Sequence, residues 1–196
     1  MAARIIHASD SAISSGFTLL ELLITLLMLS LLLGIALPDF HELVQQKQSD
    51  ITIRTLTTAL ELARTSAITD NSLSTLCRSS DGSECGGNWE DGILVFTDHN
   101  GNRKIDTEDR LIRHFPSPGS TGKLYWRAFQ NRQYLQFTPQ GFTRYQNGNF
   151  TFCPHSKDLS LARQIILNRS ARIRHAQDSD GDGIREDSRG RPIRCD

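Results

Sequence analysis

Hydrophobic positions along the chain fall into two regimes. From Phe17 to Leu37 they are nearly continuous: "FTLLELLITLLMLSLLLGIAL" holds one charged residue, Glu21, and Pro38 closes the run. Leu19 to Leu37 is 19 residues, within the length that crosses a bilayer as a helix. From Asp39 to Asp81 there is no glycine or proline, and Ile53, Leu56, Leu60, Ala63 and Ala67 alternate three and four residues apart. That spacing places them on one stripe of an amphipathic helix. The pattern predicts one long helix from about Phe17 to Asp70, kinked near Pro38, with a polar neck at "VQQKQS", residues 44–49. After it come short apolar or alternating runs bounded by Gly, Pro, Asn and Asp, which predict strands near 74–77, 93–97, 111–115, 124–128, 134–138, 150–153, 163–167 and 171–174. A helix followed by consecutive strands is an α+β arrangement, with a sheet expected to cover the Leu56/Leu60 stripe.

Composition adds little except by location. Lys+Arg and Asp+Glu are both 22, so overall charge names no partner; mean hydropathy is −0.36, which confines the membrane signal to the first apolar run. The rest of the chain suffices for one modest domain. A cleavable secretory signal has a shorter core and a small-residue cut site, and "GIALPDF" is a poor one. A plain signal anchor leaves Glu21 unexplained, because a carboxylate at mid-bilayer costs on the order of 2.5–3.5 kcal/mol, less toward an end.

Gly16-Phe17-Thr18-Leu19-Leu20-Glu21 resembles the class III leader junction of type IV pilins and pseudopilins. The resemblance implies that a prepilin peptidase cuts after Gly16 and methylates Phe17. It also implies that Glu21 pairs with the terminal amine of a neighbouring subunit, and that Pro38 kinks the stem. A neutralising ammonium makes a carboxylate in an apolar core tolerable. The leader, residues 1–15, holds one basic residue, Arg4, opposed by Asp10, which is a weak topology signal. Further along, "LELARTSAI", "LSTLCRSSDGSEC", "WEDGILVFTDHNGN", "FTPQGF", "FTFC" and "ARQIILNRSARIR" are similar in order and spacing to the GspH/FimT family of minor pseudopilins and minor pilins. The resemblance implies a type IV pilin fold: leader 1–16, transmembrane or filament-core helix 17–37, stem helix 38–72, β-rich domain 73–177, and an acidic-turn and basic tail 178–196. It implies an inner-membrane protein, single-pass, with its domain in the periplasm, assembling with other pilins.

Cys77, Cys85, Cys153 and Cys195 form no C-x-x-C pair, and an even count outside a membrane favours two disulfides over zinc. Three pairings are open; the favoured one joins Cys77 to Cys85 around a small loop and Cys153 to Cys195, worth about 3–4 kcal/mol for the longer loop.

Two segments carry candidate chemistry. Lys157, Arg163, Arg169, Arg172 and Arg174 face one acid, Asp158, and His175 is adjacent. In an extended strand Arg172 and Arg174 share a face about 6.5–7 Å apart. Such residues equally suit a solvated edge strand. The family resemblance implies more, since a G-R-x-R motif after this strand is implicated in DNA binding by FimT-type pilins. Here it reads Ala171-Arg172-Ile173-Arg174, so the effect of alanine depends on whether the glycine serves a positive φ. "GRPIR", with Arg191 and Arg194, is a reserve pair. Binding is then to the backbone of double-stranded DNA, for uptake in natural transformation. Tyr125, Trp126 and Tyr134 read as core or sheet-face residues.

"DSDGDGIREDSR" spaces Asp178, Asp180, Asp182 and Glu186 as in a calcium loop, with Gly183 sixth, but Arg189 stands at the twelfth position and Asp187 is the nearest substitute acid. A polar turn explains it equally. "DHNGNRKIDTED" has Arg103 where a glycine is wanted and reads as a turn. No G-x-S-x-G, phosphate loop or H-E-x-x-H is present, and the histidines are scattered, so no enzyme is expected. The leading expectation is a FimT-like minor pilin that binds DNA. The alternative is a GspH-like pseudopilin of type II secretion that does not, and a calcium-stabilised adhesion module ranks third.

Overall fold

A computed structural model describes residues 16–117, 119 and 121–195, apart from the side chains of residues 35–39 and 41. Residues 1–15 of the expected leader lie outside the described residues, as does the side chain of Pro38, where the kink was expected. Helix α1 is Leu19–Thr69. The chain divides into two units, Met1–Glu42 and Leu43–Asp196.

In the first unit α1 starts from a local signal. Thr18 Oγ1 accepts the amide of Glu21 at 3.2 Å, and Thr18-x-x-Glu21 has the form of a capping box. Glu21 therefore also suits the positive end of the helix dipole. Thr25 and Ser30 donate back to the carbonyls of Leu22 and Leu27, so the two hydroxyls inside the apolar run are satisfied within the helix. The apolar side chains of Leu19–Leu33 are exposed. Among the described residues no helix is long and apolar enough to cross a membrane.

In the second unit the remainder of α1 buries Ile53, Leu56, Leu60, Ala63 and Ala67, the stripe read from the sequence, with Ala59 added. The strands are β1 (Ser74–Arg78), β2 (Gly92–Thr97), β3 (Leu111–Pro116), β4 (Gly122–Ala128), β5 (Tyr134–Phe137), β6 (Gly148–Pro154), β7 (Arg163–Leu167) and β8 (Ile173–His175). They make two sheets rather than the one expected, ordered β3-β2-β1-β5 and β4-β6-β7-β8, with every pairing antiparallel. The α1 stripe shares one core with both sheets. At its centre Trp126 stacks on Phe150 at 4.3 Å and Trp89 meets the same ring edge-on at 5.0 Å.

Two smaller clusters explain the loops. Ile105 and Tyr134 pack on Cys77, Leu94 and Phe96, so the 98–109 segment caps the first sheet. It is a turn, held by Asp98, which is buried and accepts from Gln136 Nε2 at 2.7 Å and from Thr75 Oγ1. Ile193 packs on Ala162 and Ala176, seating the tail. Cys77 is bonded to Cys85 and Cys153 to Cys195.

The stripe supplies a stability prediction. Leu56→Ala, at a position with no exposed surface, is expected to cost about 2–5 kcal/mol, whereas Ile51→Ala on the exposed face changes stability by at most about 0.5 kcal/mol. Thermal unfolding of the two variants beside the parent checks both.

Candidate nucleic-acid interface

Strand β7 carries the region from one end to the other. Ile165 and Leu167 point into the core, and Asn168 opens a hairpin to β8. The turn has three residues, Arg169 to Ala171. Ala171 N–H donates to Asn168 O at 3.0 Å, Asn168 N–H to Arg172 O at 3.3 Å, and Arg172 N–H to Asn168 Oδ1 at 2.9 Å. Ala171 takes φ +58°, the left-handed position that ends a three-residue loop of this kind and usually belongs to glycine. The expected strand 171–174 therefore starts later, at Ile173. This position takes a positive φ, and alanine adopts it. Its methyl is buried in the core, 1% exposed. Burial of one methyl, about 0.8 kcal/mol, roughly offsets a left-handed cost of about 1 kcal/mol.

Beyond the turn, Ile173 packs on the core, so Arg172 and Arg174 point away from it. Both are exposed at the edge of the second sheet, with no ion-pair partner for either among the described residues. Arg169, on the turn, lies over the ring of Tyr145 at 5.2 Å.

The rest of the sequence grouping does not converge. Arg163 is 5% exposed, bonded to Asp50 Oδ1 at 2.9 Å and to the carbonyls of Ser160 and Ala162; it fastens β7 to the stem helix and is unavailable to a ligand. His175 falls on the opposite face from Arg174, beside Asp50 and Arg54 of α1. Lys157 is exposed beyond the Arg163 end of β7, a strand length of about 14 Å or more from the hairpin. Of the reserve pair, Arg191 is engaged by Asp187 at 2.8 Å, and Arg194 is exposed.

The acidic turn gathers the four residues expected. Asp178, Asp180, Asp182 and Glu186 offer oxygens within 4.8 Å of one another. Amides already serve them: Asp178 accepts from Gly181 and Gly183, and Glu186 from Ser179. The Gly181 amide, first among these, lowers the Asp178 pKa below the ordinary carboxylate value. Asp187, the substitute acid, is instead committed to Arg191 and to the amide of Arg189.

At the start of α1, Gly16 and Phe17 precede the helix in exposed, non-helical backbone, and Glu21 is exposed in the first turn.

A family model described as "Type II transport protein GspH" matches residues 52–171, more than half the chain. The chain belongs to the GspH family. Its members are structural components and not enzymes. The matched span of the GspH-family domain runs from the stem helix to the hairpin turn and stops at Ala171, just short of the arginine pair. Two crystal forms of the type IV minor pilin FimU of Pseudomonas aeruginosa strain PAO1 are similar in structure, each 15% identical. The P65 form covers 67% of this chain and 92% of its own with a TM-score of 0.48, and the P21 form covers 70% and 91% with 0.49. Comparison with curated proteins gave no match.

Sequence reading overlooked the neighbour of the hairpin. In "GFTRYQNGN", Phe142, Arg144 and Tyr145 belong to no strand, and three large side chains in a glycine-bounded polar loop were the available signal. The turn itself is testable. Ala171→Gly is expected to stay within about 1 kcal/mol of the parent, while Ala171→Val, β-branched at positive φ, loses about 2 kcal/mol or more. Denaturant unfolding measures both.

Proposed function

We propose that this GspH-family chain is a minor pilin of FimT type, which is cleaved after Gly16, anchored by its apolar N-terminal helix, and binds DNA without sequence preference. The observation that carries the DNA reading is the hairpin that holds Arg172 and Arg174 exposed, side by side and without an acidic partner among the described residues. Arg169 adds a third cation on the same turn. Guanidinium groups so placed contact backbone phosphates and release counterions, which gives affinity in the non-specific range of about 10⁻⁴–10⁻⁶ M and strong dependence on salt. Weak sites repeated along a filament gain by avidity. The accessible Gly16–Phe17 junction supports processing by a prepilin peptidase, and the exposed Glu21 supports pairing with the terminal amine of a neighbour.

The second reading is a structural pseudopilin of type II secretion that binds no DNA; the description of the matching family favours it. The two separate in one experiment. The full chain in detergent micelles is titrated with labelled duplex DNA across a salt series, beside Arg172→Gln/Arg174→Gln. The DNA reading expects binding that weakens with salt, and a variant whose log–log salt slope is shallower by about two. A variant that binds like the parent removes the arginine pair from the site, and absence of binding by the parent leaves the pseudopilin.

Calcium is proposed for Asp178, Asp180, Asp182 and Glu186, as a clamp on the tail rather than a centre of chemistry. With calcium at a hundred times its dissociation constant, stability rises by about 2.7 kcal/mol, and Asp180→Asn/Asp182→Asn abolishes that rise. A melting temperature insensitive to calcium and chelator refutes the clamp. The linkage has a definite sign. Because the folded pKa of Asp178 is depressed, its contribution is complete above the ordinary carboxylate range and is lost as pH falls through the folded value.

A further inference from the structure

Beside the arginine hairpin lies a cleft of about 590 Å³ between the β5–β6 loop and the β7–β8 turn. Its construction inverts the usual distribution of polar and apolar groups. The loop's polar residues are inside: Thr143 is buried, with its amide on Arg169 O at 3.1 Å and its hydroxyl bonded to the carbonyl of Gln146. Gln146, also buried, receives the amide of Gln136 at 2.8 Å and donates to Tyr134 O at 2.8 Å. The loop's aromatic rings are outside, Phe142 at 52% and Tyr145 at 72% exposure. Tyr145 holds φ +62°, a conformation that bulky side chains rarely adopt and that a rigid surround must enforce. The loop is thus fastened by satisfied buried bonds while it presents two rings to solvent.

The surroundings define what those rings meet. Arg169 covers one face of Tyr145; Arg144 is also on the lining, but its guanidinium packs against Gly101 of the 98–109 turn, and no carboxylate is among the lining residues. The two loops that form the cleft, residues 138–147 and 168–172, contain Arg144, Arg169 and Arg172 and no acid. Two separate rings, one of them under the Arg169 guanidinium, suit flat, negatively tethered ligands better than a broad apolar partner. Successive bases stack on such rings while phosphates follow the cations, irrespective of sequence. In a duplex the bases are stacked on one another and do not reach a cleft of this kind.

From this we infer that the Phe142/Tyr145 cleft is a base-stacking site for single-stranded nucleic acid, continuous with the Arg172/Arg174 phosphate contacts. The inference rests on the DNA reading and extends it: the hairpin holds backbone of either form, and the cleft makes the chain prefer single strands.

The test compares oligothymidine with a duplex of equal length, both labelled, on the full chain in detergent micelles. Proteins are the parent, Phe142→Leu/Tyr145→Leu, Tyr145→Phe, and Arg172→Gln/Arg174→Gln. Both rings are exposed, so the variants are expected to keep the parent's melting temperature, which is measured alongside. The leucine variant is expected to lose about ten-fold in affinity for oligothymidine and no more than about two-fold for duplex, with Tyr145→Phe close to the parent. A leucine variant that binds oligothymidine as the parent does, while the arginine variant loses both DNAs, overturns the cleft and leaves the DNA reading intact. Equal losses on both DNAs also overturn it, because the rings then act on the hairpin and not on bases. A leucine variant unchanged on DNA but defective in association with other pilins reassigns the cleft to a protein partner. A parent that binds neither DNA overturns the cleft and the DNA reading together.

Discussion

The seating of β7 on the stem helix is the constraint from which the distal surface follows. At one end of the strand Arg163 is buried against Asp50. Along its length Ile165 and Leu167 enter the core that α1 shares with both sheets. At the other end Asn168 closes the hairpin, and the Ala171 methyl is buried in the same core. A buried guanidinium without its carboxylate is costly, so this ion pair fixes the strand more through the penalty for losing it than through net attraction. The direction in which Arg172 and Arg174 project is set by this seating together with the core contacts of Ala171 and Ile173, the residues on either side of Arg172.

The same logic separates cations that look alike in the sequence. Within one segment of the chain Arg163 is an internal fastener, His175 belongs to the helix side of its strand, and Lys157 is at the far end of the sheet. Only Arg169, Arg172 and Arg174 gather at the hairpin. The tail adds rigidity of a different kind. The Cys153–Cys195 bond and the burial of Ile193 against Ala162 and Ala176 tie the last segment to the second sheet, and the acidic turn between them closes on its own amides.

Much of this was legible beforehand because periodicity is a local property. The α1 stripe and the approximate limits of all eight strands follow from three-four and two-residue spacings that the core enforces. The division into two sheets was not legible, since the pairing of β5 with β1 and of β4 with β6 is decided by contacts distant in sequence. Nor was the start of β8, where the Asn168 side chain and a left-handed Ala171 extend the turn by two residues at the expense of the strand. The basic cluster was overcounted for a related reason: charge along a sequence says nothing of which side of a strand a residue takes or whether an aspartate from the helix awaits it. The aromatic cleft escaped notice because exposed rings and core rings are the same letters.

Hydrogen exchange of the full chain with and without bound oligonucleotide tests the central claim, that ligand meets the end of the domain which β7 positions. Slowed exchange confined to amides of residues 168–175 and 141–146 is the expected result. Protection at residues 155–158 or in the tail beyond 189, with none at the hairpin, contradicts it.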